Sequence, residues 1–438
     1  MPSDVLAVAD RLWNGEVSTS TFHPVDHIGG FVEITDGVGF CPSFANVSSF
    51  ATDDGLVLVD TGSAPLAQVV HDDIRTWSPA RLNTAVYSHG HIDHVFGVPV
   101  WEAEAAAEGW AAPEVVAHHA LPARFDRYIF TAGYNTIINR RQFGFTDLHW
   151  PTEYRYPDRT YHDTLELSVG GLGFSLRHEK GETDDHTVTW QPDTRVLCCG
   201  DLFIWASPNA GNPQKVQRYP REWADALRRM LRLDAEFLLP GHGFPVIGAD
   251  RVRTALTDTA DLLDSLVDQT LAVMNAGGRL DDAIHTVRVP AALEARPFLQ
   301  PVYDEPEFIV HTVWRQYGGW WDGNPATLQP APERALAGEL AELAGGAGAL
   351  ADRALELLAL AADAPDSGEG VAAAEGALRL AGHLVEHAWL ARPDDEGVQR
   401  ARRQVFAARA ARATSTMARG VFTWAANESA APPHGHSH

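Results

Sequence analysis

The chain has 438 residues, of which 45% are hydrophobic and 21% are charged, and its formal net charge at pH 7 is −24. This length favours two domains over one, and the strong negative charge argues against nucleic acid as a partner. Because no apolar stretch reaches the roughly 18 residues of a membrane span, and the N-terminus lacks the basic and apolar regions of a signal peptide, we predict a cytoplasmic protein without a membrane span.

The first half of the chain alternates predicted strands and helices, which indicates a layered α/β structure. Residues 1–30 carry turn signals and are predicted to be irregular, and a helix is predicted at 66–77. Residues 118–160 are predicted to form a long functional loop because they are rich in aromatic and polar residues. Strands are predicted at 31–34, 47–50, 56–60, 84–87, 164–169, 173–178, 187–190, 195–199 and 237–239, with a hairpin turn at 169–172.

Several of these strands end at residues that bind metals. Directly after the strand at 84–87, one short run contains His89, His91, Asp93 and His94. If the strand continues to this point, His89 and His91 place their side chains on the same side of the chain. Neutral imidazoles and carboxylates are ligands of zinc and similar divalent ions. Three further potential ligands follow later predicted strands, so we expect a metal site at one rim of a sheet; these are Glu182, Asp201 and His242.

After about residue 250 the apolar pattern changes to the period of a helix. This half contains few candidate catalytic groups, so we interpret it as an interaction or oligomerisation module. The tail is predicted to be disordered, with His434, His436 and His438 as adventitious metal binders. Helices are predicted at 255–276, 335–362, 370–391 and 397–411, the last two as an antiparallel pair broken at 392–395.

Four short motifs together resemble the metallo-β-lactamase superfamily: His89-x-His91-x-Asp93-His94, Gly181-Glu182-Thr183, Gly200-Asp201 and Gly241-His242-Gly243. Glutamate at position 182 resembles the alkylsulfatase branch, as does the segment 314–328 that leads into the helical half. The resemblance implies an α/β fold, a metallo-β-lactamase αββα sandwich followed by an all-α, tetratricopeptide-like dimerisation domain. We therefore predict a catalytic domain at 1–250, a helical connection contributing to the pocket at 251–330, a dimerisation domain at 331–428 and a disordered tail at 429–438.

The resemblance also implies a pair of metal ions, two Zn²⁺ or other divalent ions. One ion would be held by His89, His91 and Glu182, and the other by Asp93, His94 and His242, with Asp201 bridging the two. Asp93 and Asp201 would also be the catalytic carboxylates. Two roles stay open for Asp60, which either orients a ligand histidine or caps the turn at Thr61-Gly62. His186 is expected beside the ligands, or as a ligand itself if Glu182 is not one.

A count of charges indicates how an anionic substrate would bind. Two divalent ions, three carboxylates and a bridging hydroxide sum to about zero, so a negatively charged ester needs additional cations. Residues 209–218 resemble the sulfate-binding stretch of alkylsulfatases, and Arg218 is the best candidate because its planar fork donates two hydrogen bonds to an oxyanion. The further candidate substrate-binding residues are Lys215, Asn209, Asn212, Tyr134, Arg141 and His311.

The sequence therefore predicts a dizinc hydrolase, an alkylsulfatase-like sulfuric ester hydrolase. It would cleave a small anionic ester, an alkyl sulfate, to alcohol and sulfate with a dizinc-activated water, as a homodimer through its helical half. Hydrolysis of another ester (lactone, thioester or phosphodiester) stays open, because Asp201 stands where that branch uses glutamate and no segment resembles its sterol-carrier-like domain. The superfamily also includes iron-dependent oxidoreductases, which metal analysis distinguishes, and a non-catalytic scaffold is disfavoured because every ligand position is intact.

Overall fold

The computed structural model describes residues 5–26, 30–365 and 367–430. The chain divides into two compact units, the first comprising 1–135 and 149–320 and the second comprising 136–148 and 321–438. Most of the predicted tail, residues 431–438 with its three histidines, lies outside the described residues. Within the described ranges, no helix combines the length and apolar character that crossing a bilayer requires.

The first unit contains a seven-stranded sheet whose strands lie side by side in chain order. The first four strands pair antiparallel, and the fourth to seventh pair parallel. The strands are β1 (Val32–Thr35), β2 (Val38–Cys41), β3 (Val47–Thr52), β4 (Gly55–Val59), β5 (Leu82–Val86), β6 (Glu114–His118) and β7 (Arg159–Tyr161).

A six-stranded sheet in the same unit is formed by β8 (Thr164–Val169), β9 (Leu172–Glu179), β10 (His186–Gln191), β11 (Val196–Gly200), β12 (Phe237–Pro240) and β13 (Val246–Ile247). These strands also lie side by side in chain order. All neighbours pair antiparallel except β11 and β12, which are parallel. The predicted hairpin turn is confirmed, because Val169 pairs with Leu172 and both intervening glycines have positive φ.

Helices cover the outer faces of both sheets, which confirms the αββα sandwich. Phe50 and Phe174 meet between the sheets with ring centroids 5.2 Å apart. Trp101 belongs to the core outside the first sheet and Trp223 to the core outside the second. The helices of the first unit are α1 (Val5–Trp13), α2 (Ala67–Trp77), α3 (Val98–Glu108), α4 (Leu121–Phe130), α6 (Pro220–Met230), α7 (Ala249–Asn275), α8 (Leu280–Thr286), α9 (Ala291–Glu294) and α10 (Pro306–Gly318). Helix α5 (Ala132–Phe143) begins in the first unit, and its residues from 136 onward belong to the second.

Two predictions about irregular segments are wrong. Residues 1–30 include α1, and the predicted loop at 118–160 contains α4 and α5. In α4, Leu121, Phe125 and Tyr128 are buried at spacings of four and three, the spacing of one helix face. Aromatic residues therefore mark the packed side of a helix here, and the aromatic content of this segment does not indicate a loop.

The second unit is helical, as predicted for the C-terminal half. One boundary differs, because the single helix predicted at 335–362 is two helices separated by Gly345 and Gly346, both with positive φ. The predicted break at 392–395 is confirmed, and the Asp395 side chain accepts from the amides of Gly397 and Val398. The helices are α11 (Pro325–Leu328), α12 (Glu333–Ala344), α13 (Ala347–Ala362), α14 (Gly368–Ala391), α15 (Glu396–Arg412) and α16 (Thr416–Glu428).

Candidate metal centre

Strand ends of both sheets bring the candidate ligands together. In the first sheet, Asp60 directly follows β4, and the histidine run begins just after the neighbouring parallel strand β5. In the second sheet, Asp201 directly follows β11, and His242 follows its parallel neighbour β12. Parallel neighbours end at the same edge of a sheet, so each pair delivers its polar residues to one rim. Glu182 lies in the loop between β9 and β10.

The first ligand group consists of His89, His91 and Glu182, with Asp201 beside them. The Nε2 atom of His89 lies 2.8 Å from Nδ1 of His91. The Oε2 atom of Glu182 lies 3.5 Å from each of these two nitrogens. One oxygen of Asp201, Oδ2, lies 3.7 Å from His89 Nε2. Three donor atoms therefore converge on one point beside Asp201.

The second ligand group consists of Asp93, His94 and His242. The Oδ2 atom of Asp93 lies 3.6 Å from His94 Nε2 and 3.4 Å from His242 Nε2. Asp201 also contacts this group, because its Oδ1 lies 3.4 Å from His94 Nε2 and its Oδ2 lies 3.3 Å from His242 Nε2. Asp201 therefore lies between the two groups, as the bridging role predicts.

The donor atoms fit a divalent metal. Ligand bonds of about 2.0–2.2 Å at tetrahedral angles separate the donor atoms by roughly 3.3–3.6 Å, which is close to most of the distances above. Three of these atoms are buried and have no hydrogen-bond partner among the described residues: His94 Nε2, Glu182 Oε2 and Asp201 Oδ1. Buried polar atoms without a partner are rare unless they bind an ion or water, so metal binding at the two ligand groups would account for all three.

The charges within the cluster also favour an ionised bridging carboxylate. Burial acts to raise the pKa of Asp201, but the imidazoles of His242, His94 and His89 outweigh it and lower that pKa well below its usual value. For Glu182 the balance is reversed. Burial raises its pKa, and the adjacent guanidinium of Arg218 limits the rise.

In the second ligand group, hydrogen-bond acceptors contact the Nδ1 atoms of His94 and His242, the ring nitrogens that do not face the other ligands. Asp60 Oδ2 lies 2.7 Å from His94 Nδ1, and the two Asp60 oxygens accept from the amide and hydroxyl of Ser88, each at 2.7 Å. This is the contact that the orienting role of Asp60 predicts. The Nδ1 atom of His242 contacts the carbonyl of Phe44. The side-chain Nδ2 of Asn46 donates to the Pro240 and Gly243 carbonyls, both at 3.0 Å, and holds the His242 loop in place.

Two glycines permit this close packing. Gly200 has φ +50°, and a Cβ there would lie 2.6 Å from His186 Nε2. A Cβ at Gly241 would lie 2.2 Å from Asp201 Oδ1. His186 stacks on the His89 ring at 4.9 Å between centroids, and its Nε2 lies 3.0 Å from the Cys199 carbonyl. His186 therefore lies beside the ligands and in neither ligand group.

The segment predicted to bind an anion lies against the first ligand group. Arg218 Nη1 is 2.5 Å from Glu182 Oε1, and Asn209 Nδ2 donates to the same oxygen. Lys215 Nζ lies 5.4 Å from the ring centroid of Trp150, and burial, reinforced by the charge of Arg218, lowers the Lys215 pKa to about 7. Asn212 is buried, with Oδ1 accepting from the amide of Gln214 at 3.1 Å.

The other three predicted substrate-binding residues lie outside the two ligand groups. Tyr134 is 58% exposed, and no hydrogen bond, ion pair or ring contact among the described residues connects it to the ligands. His311 lies on α10 with an exposed side chain. Arg141 belongs to the second unit, where its guanidinium lies over the Trp424 ring. Their roles in binding stay predictions.

Sequence reasoning missed two residues that precede α10, the buried Asp304 and the partly buried Tyr303. Asp304 accepts from the amide of Gly211 at 2.6 Å through Oδ2 and from that of Glu305 at 2.8 Å through Oδ1. Burial raises the pKa of Asp304 to about 7. Burial also raises the pKa of Tyr303, and the negative charges of Glu182 and Asp93 add to the rise. No motif marks this segment; only its proline-bracketed run, Pro301 to Pro306, could have indicated an ordered connection.

Two family models match the chain. The model described as metallo-beta-lactamase superfamily matches residues 42–242, and the model described as alkyl sulfatase dimerisation matches residues 279–431. The first match contains all the candidate ligands, and the second includes the Tyr303–Asp304 segment together with the helices of the second unit.

Curated relatives are similar along much of the chain. A linear primary-alkylsulfatase from Pseudomonas sp. (strain ATCC 19151) is 27% identical over 67% of this chain and 59% of its own length. An (R)-specific secondary-alkylsulfatase from Pseudomonas sp. is 27% identical over 84% of this chain and 58% of its own length. The chain thus spans little more than half the length of the curated relatives it matches.

Among solved structures, the stereoselective inverting sec-alkylsulfatase Pisa1 from Pseudomonas sp. superposes with a TM-score of 0.81. That match has 22% sequence identity and covers 93% of this chain and 66% of the other. At this identity the likeness is one of fold, and it extends over both the sandwich and the helical half.

Proposed function

We propose that this chain, which belongs to the metallo-β-lactamase superfamily and to its alkylsulfatase-like branch, hydrolyses alkyl sulfate esters to an alcohol and inorganic sulfate. One observation carries the proposal. Arg218 and Asn209 lie against the metal ligand Glu182, so groups that can bind an anion stand directly beside the candidate metal centre. The alkylsulfatases among the curated relatives support the same substrate class.

We assign two zinc ions to the cluster, one to each ligand group, with Asp201 shared between them. Bound there, they would lower the pKa of water and stabilise negative charge that develops on the ester. Asp93 and Asp201 face this position as the catalytic carboxylates, each with an oxygen among the imidazole nitrogens. The side chain of Asp201 is 5% exposed, so bulk water has little access to the bridging position.

The residues around the cluster would bind the anionic end of the substrate. Three carboxylates offset most of the charge of two divalent ions, so a sulfate ester gains little from the centre itself. Arg218 adds a buried positive charge with several N–H donors, and Lys215 adds a second basic group. Asn209 and Asn212 supply amide groups from the same segment. The roles of Tyr134, Arg141 and His311 in substrate binding remain part of this proposal.

We also propose that the protein forms a homodimer through its helical half. The dimerisation model covers α12 to α16, and large apolar side chains of this unit are exposed, among them Leu343 (83%), Leu360 (58%) and Leu380 (57%). Such exposed apolar groups favour a protein interface. Sedimentation of the full chain tests this, since a monomer at micromolar concentration would contradict it. The cytoplasmic location stays a prediction from the sequence.

A combined metal and substrate analysis tests the proposed activity. Metals bound to the purified chain are counted by mass spectrometry, and the same preparation is given a panel of alkyl sulfate, phosphate, carboxylic and lactone esters. We expect about two zinc ions per chain and release of sulfate from alkyl sulfates. The His91→Ala variant should lose turnover while its helical content, measured by circular dichroism, is unchanged. A zinc-loaded wild-type chain that releases no sulfate would contradict the proposal.

One residue favours a second candidate, hydrolysis of a lactone, thioester or phosphodiester. Asp201 has a shorter side chain than the glutamate expected at this position in the alkylsulfatase branch, which changes the space at the bridge. The ester panel, extended by a thioester and a phosphodiester, separates the two functions, because turnover of one of these esters or of a lactone without release of sulfate from alkyl sulfates would support the second.

A further inference from the structure

The two oxygens of Glu182 have different surroundings. Oε2 faces His89 Nε2 and His91 Nδ1, each at 3.5 Å, and has no hydrogen-bond partner among the described residues. Oε1 lies 2.5 Å from Arg218 Nη1 and accepts from Asn209 Nδ2. The carboxylate therefore cannot turn about its last bond without giving up both of these contacts.

All three side chains are removed from solvent. Glu182 is 2% exposed, Arg218 3% and Asn209 5%. A buried carboxylate without partners is strongly unfavourable, whereas one held by a guanidinium and an amide is satisfied on that side. Neither Arg218 nor Asn209 belongs to the candidate ligand groups. Their contact with Glu182 nevertheless determines where its free oxygen points.

We propose that Arg218 and Asn209 are positioning residues for the first metal ion, because together they hold Glu182 with Oε2 between His89 and His91. The inference rests on the proposed function to the extent that it requires a metal ion at the first ligand group. It goes beyond substrate binding, since a residue that contacts only the ester would leave metal affinity unchanged.

Arg218 can hold Glu182 and bind an anion at the same time. A guanidinium has five N–H donors in a planar fork. The Nη1 atom is used on Glu182, while the Nε atom is buried and has no hydrogen-bond partner among the described residues. An anion at Nε and the metal ligand at Nη1 would share one rigid plane. Arg218 substitutions should therefore change both metal affinity and the KM for a charged ester.

The test measures metal affinity directly. Arg218→Met removes the guanidinium but keeps the aliphatic stem, Arg218→Lys keeps the charge, and Asn209→Ala removes the second donor. Each zinc-loaded full-length variant is titrated with a chromophoric chelator. For Arg218→Met we expect one ion to bind about 10- to 100-fold more weakly, the range for loss of a group that orients a ligand, with the other ion within about twofold. Arg218→Lys should recover part of this loss, and Asn209→Ala should show a smaller one.

A matched arginine–glutamate pair in the same unit provides the control. Arg229 Nε lies 2.9 Å from Oε1 of Glu179, a buried glutamate three positions before Glu182 that lies outside the ligand groups. Arg229→Met should lower thermal stability yet keep both metal affinities. Equal weakening in Arg229→Met and Arg218→Met, or wild-type affinities in all variants at positions 218 and 209, would overturn the inference.

The outcomes separate this inference from the proposed function. A wild-type chain that binds two ions but releases no sulfate would contradict the activity alone, and the chelator titration would still decide the positioning role. If Arg218→Met does not fold, the comparison of Arg218→Lys and Asn209→Ala with Arg229→Met decides it. A wild-type chain that binds no metal overturns both.

Discussion

The carboxylate of the first ligand group and the histidines of the second are held by groups of opposite character. In the second group, acceptors lie behind the histidines, with the Asp60 carboxylate at His94 and the Phe44 carbonyl at His242. In the first group, donors lie behind the carboxylate, with Arg218 and Asn209 at Glu182. Both arrangements orient their ligands, but they shift the electron density on those ligands in opposite directions.

This difference would make the two proposed metal ions unequal in character. A carboxylate or carbonyl behind an imidazole raises its basicity and strengthens its bond to a metal. The guanidinium of Arg218 orients Glu182 but also draws charge away from it, so the oriented carboxylate is a less basic ligand than it would be without a cation beside it. We therefore expect the ion of the second group to bind more tightly, and the ion of the first group to be the stronger Lewis acid.

The largest expected effect comes from changing Asp201, the residue that the two ligand groups share. Asp201 contacts both groups, so Asp201→Ala should weaken both ions together and lower kcat/KM by on the order of 10³-fold or more, beyond the 10- to 100-fold typical of outer contacts. Metal counting and sulfate release measure the two losses. Asp250→Ala, at a side chain 96% exposed, should change neither. An Asp201→Ala chain that kept one ion at wild-type affinity would show that the residue does not bridge.

Asp60→Asn tests the difference between the two ions by a change behind His94 of the second group. The amide keeps the size of the side chain but removes the charge behind His94, so the second ion should bind about 10- to 100-fold more weakly. The first ion should be little changed, the reverse of the result expected for Arg218→Met. Chelator titration measures both affinities. Equal weakening of the two ions would contradict a role for Asp60 that is confined to the second ligand group.

A smaller effect is expected in the steps by which a chelator removes the two ions. In the wild type, a chelator should remove the ions in two steps that differ roughly tenfold in affinity, with the first group emptied first. Arg218→Met should widen the interval between the steps, and Asp60→Asn should abolish it or reverse the order in which the ions leave. A single step in all three proteins would contradict the unequal ions inferred from the hydrogen bonds.

The smallest expected effect is the pH dependence of substrate binding. Because the pKa of Lys215 is lowered to about 7, mainly by burial, its ammonium is present below pH 7 and is lost as the pH rises. The KM for an alkyl sulfate should therefore increase roughly two- to fivefold between pH 6 and pH 8, the range for a single screened charge. Lys215→Arg should abolish the increase. A neutral ester serves as the control, and a parallel rise in its KM would show that Lys215 does not contribute to binding of the anion.

Local patterns predicted a layered α/β structure with a metal site at one rim of a sheet, and the resemblance to the metallo-β-lactamase superfamily implied the sandwich and the division of the ligands into two groups. Strands are recognised by short apolar runs, and a histidine or carboxylate just after such a run must lie at the rim, as His89, Asp201 and His242 do. The helical half was predicted equally well, because its period is visible over long stretches. Errors arose where two sequence signals compete. In α4, the aromatic side chains that suggested a loop form one face of a helix. At Gly345–Gly346, the glycines end α12 although the helical apolar pattern continues on both sides.

What the sequence could not predict are contacts between distant segments. Arg218 was expected to face the substrate, and only the structure places its Nη1 against Glu182, thirty-six positions earlier. Asp304 was not expected at the site, because its partner, the amide of Gly211, is ninety-three positions away. Such contacts depend on how loops pack across the two sheets, and neither residue type nor spacing carries that information.

The hydrogen bond between Asp304 and Gly211 bears on how such proteins recombine during evolution. The region that matches the dimerisation family begins at residue 279, yet residues 279–320 belong to the compact unit of the sandwich, where Ile309 and Val313 of α10 are part of the core. Exchanging genes at that family boundary would separate Gly211 from the carboxylate that holds its loop. A crossover nearer residue 320, after α10, keeps this hydrogen bond, but residues 136–148 belong to the second unit and must be exchanged together with the helical half.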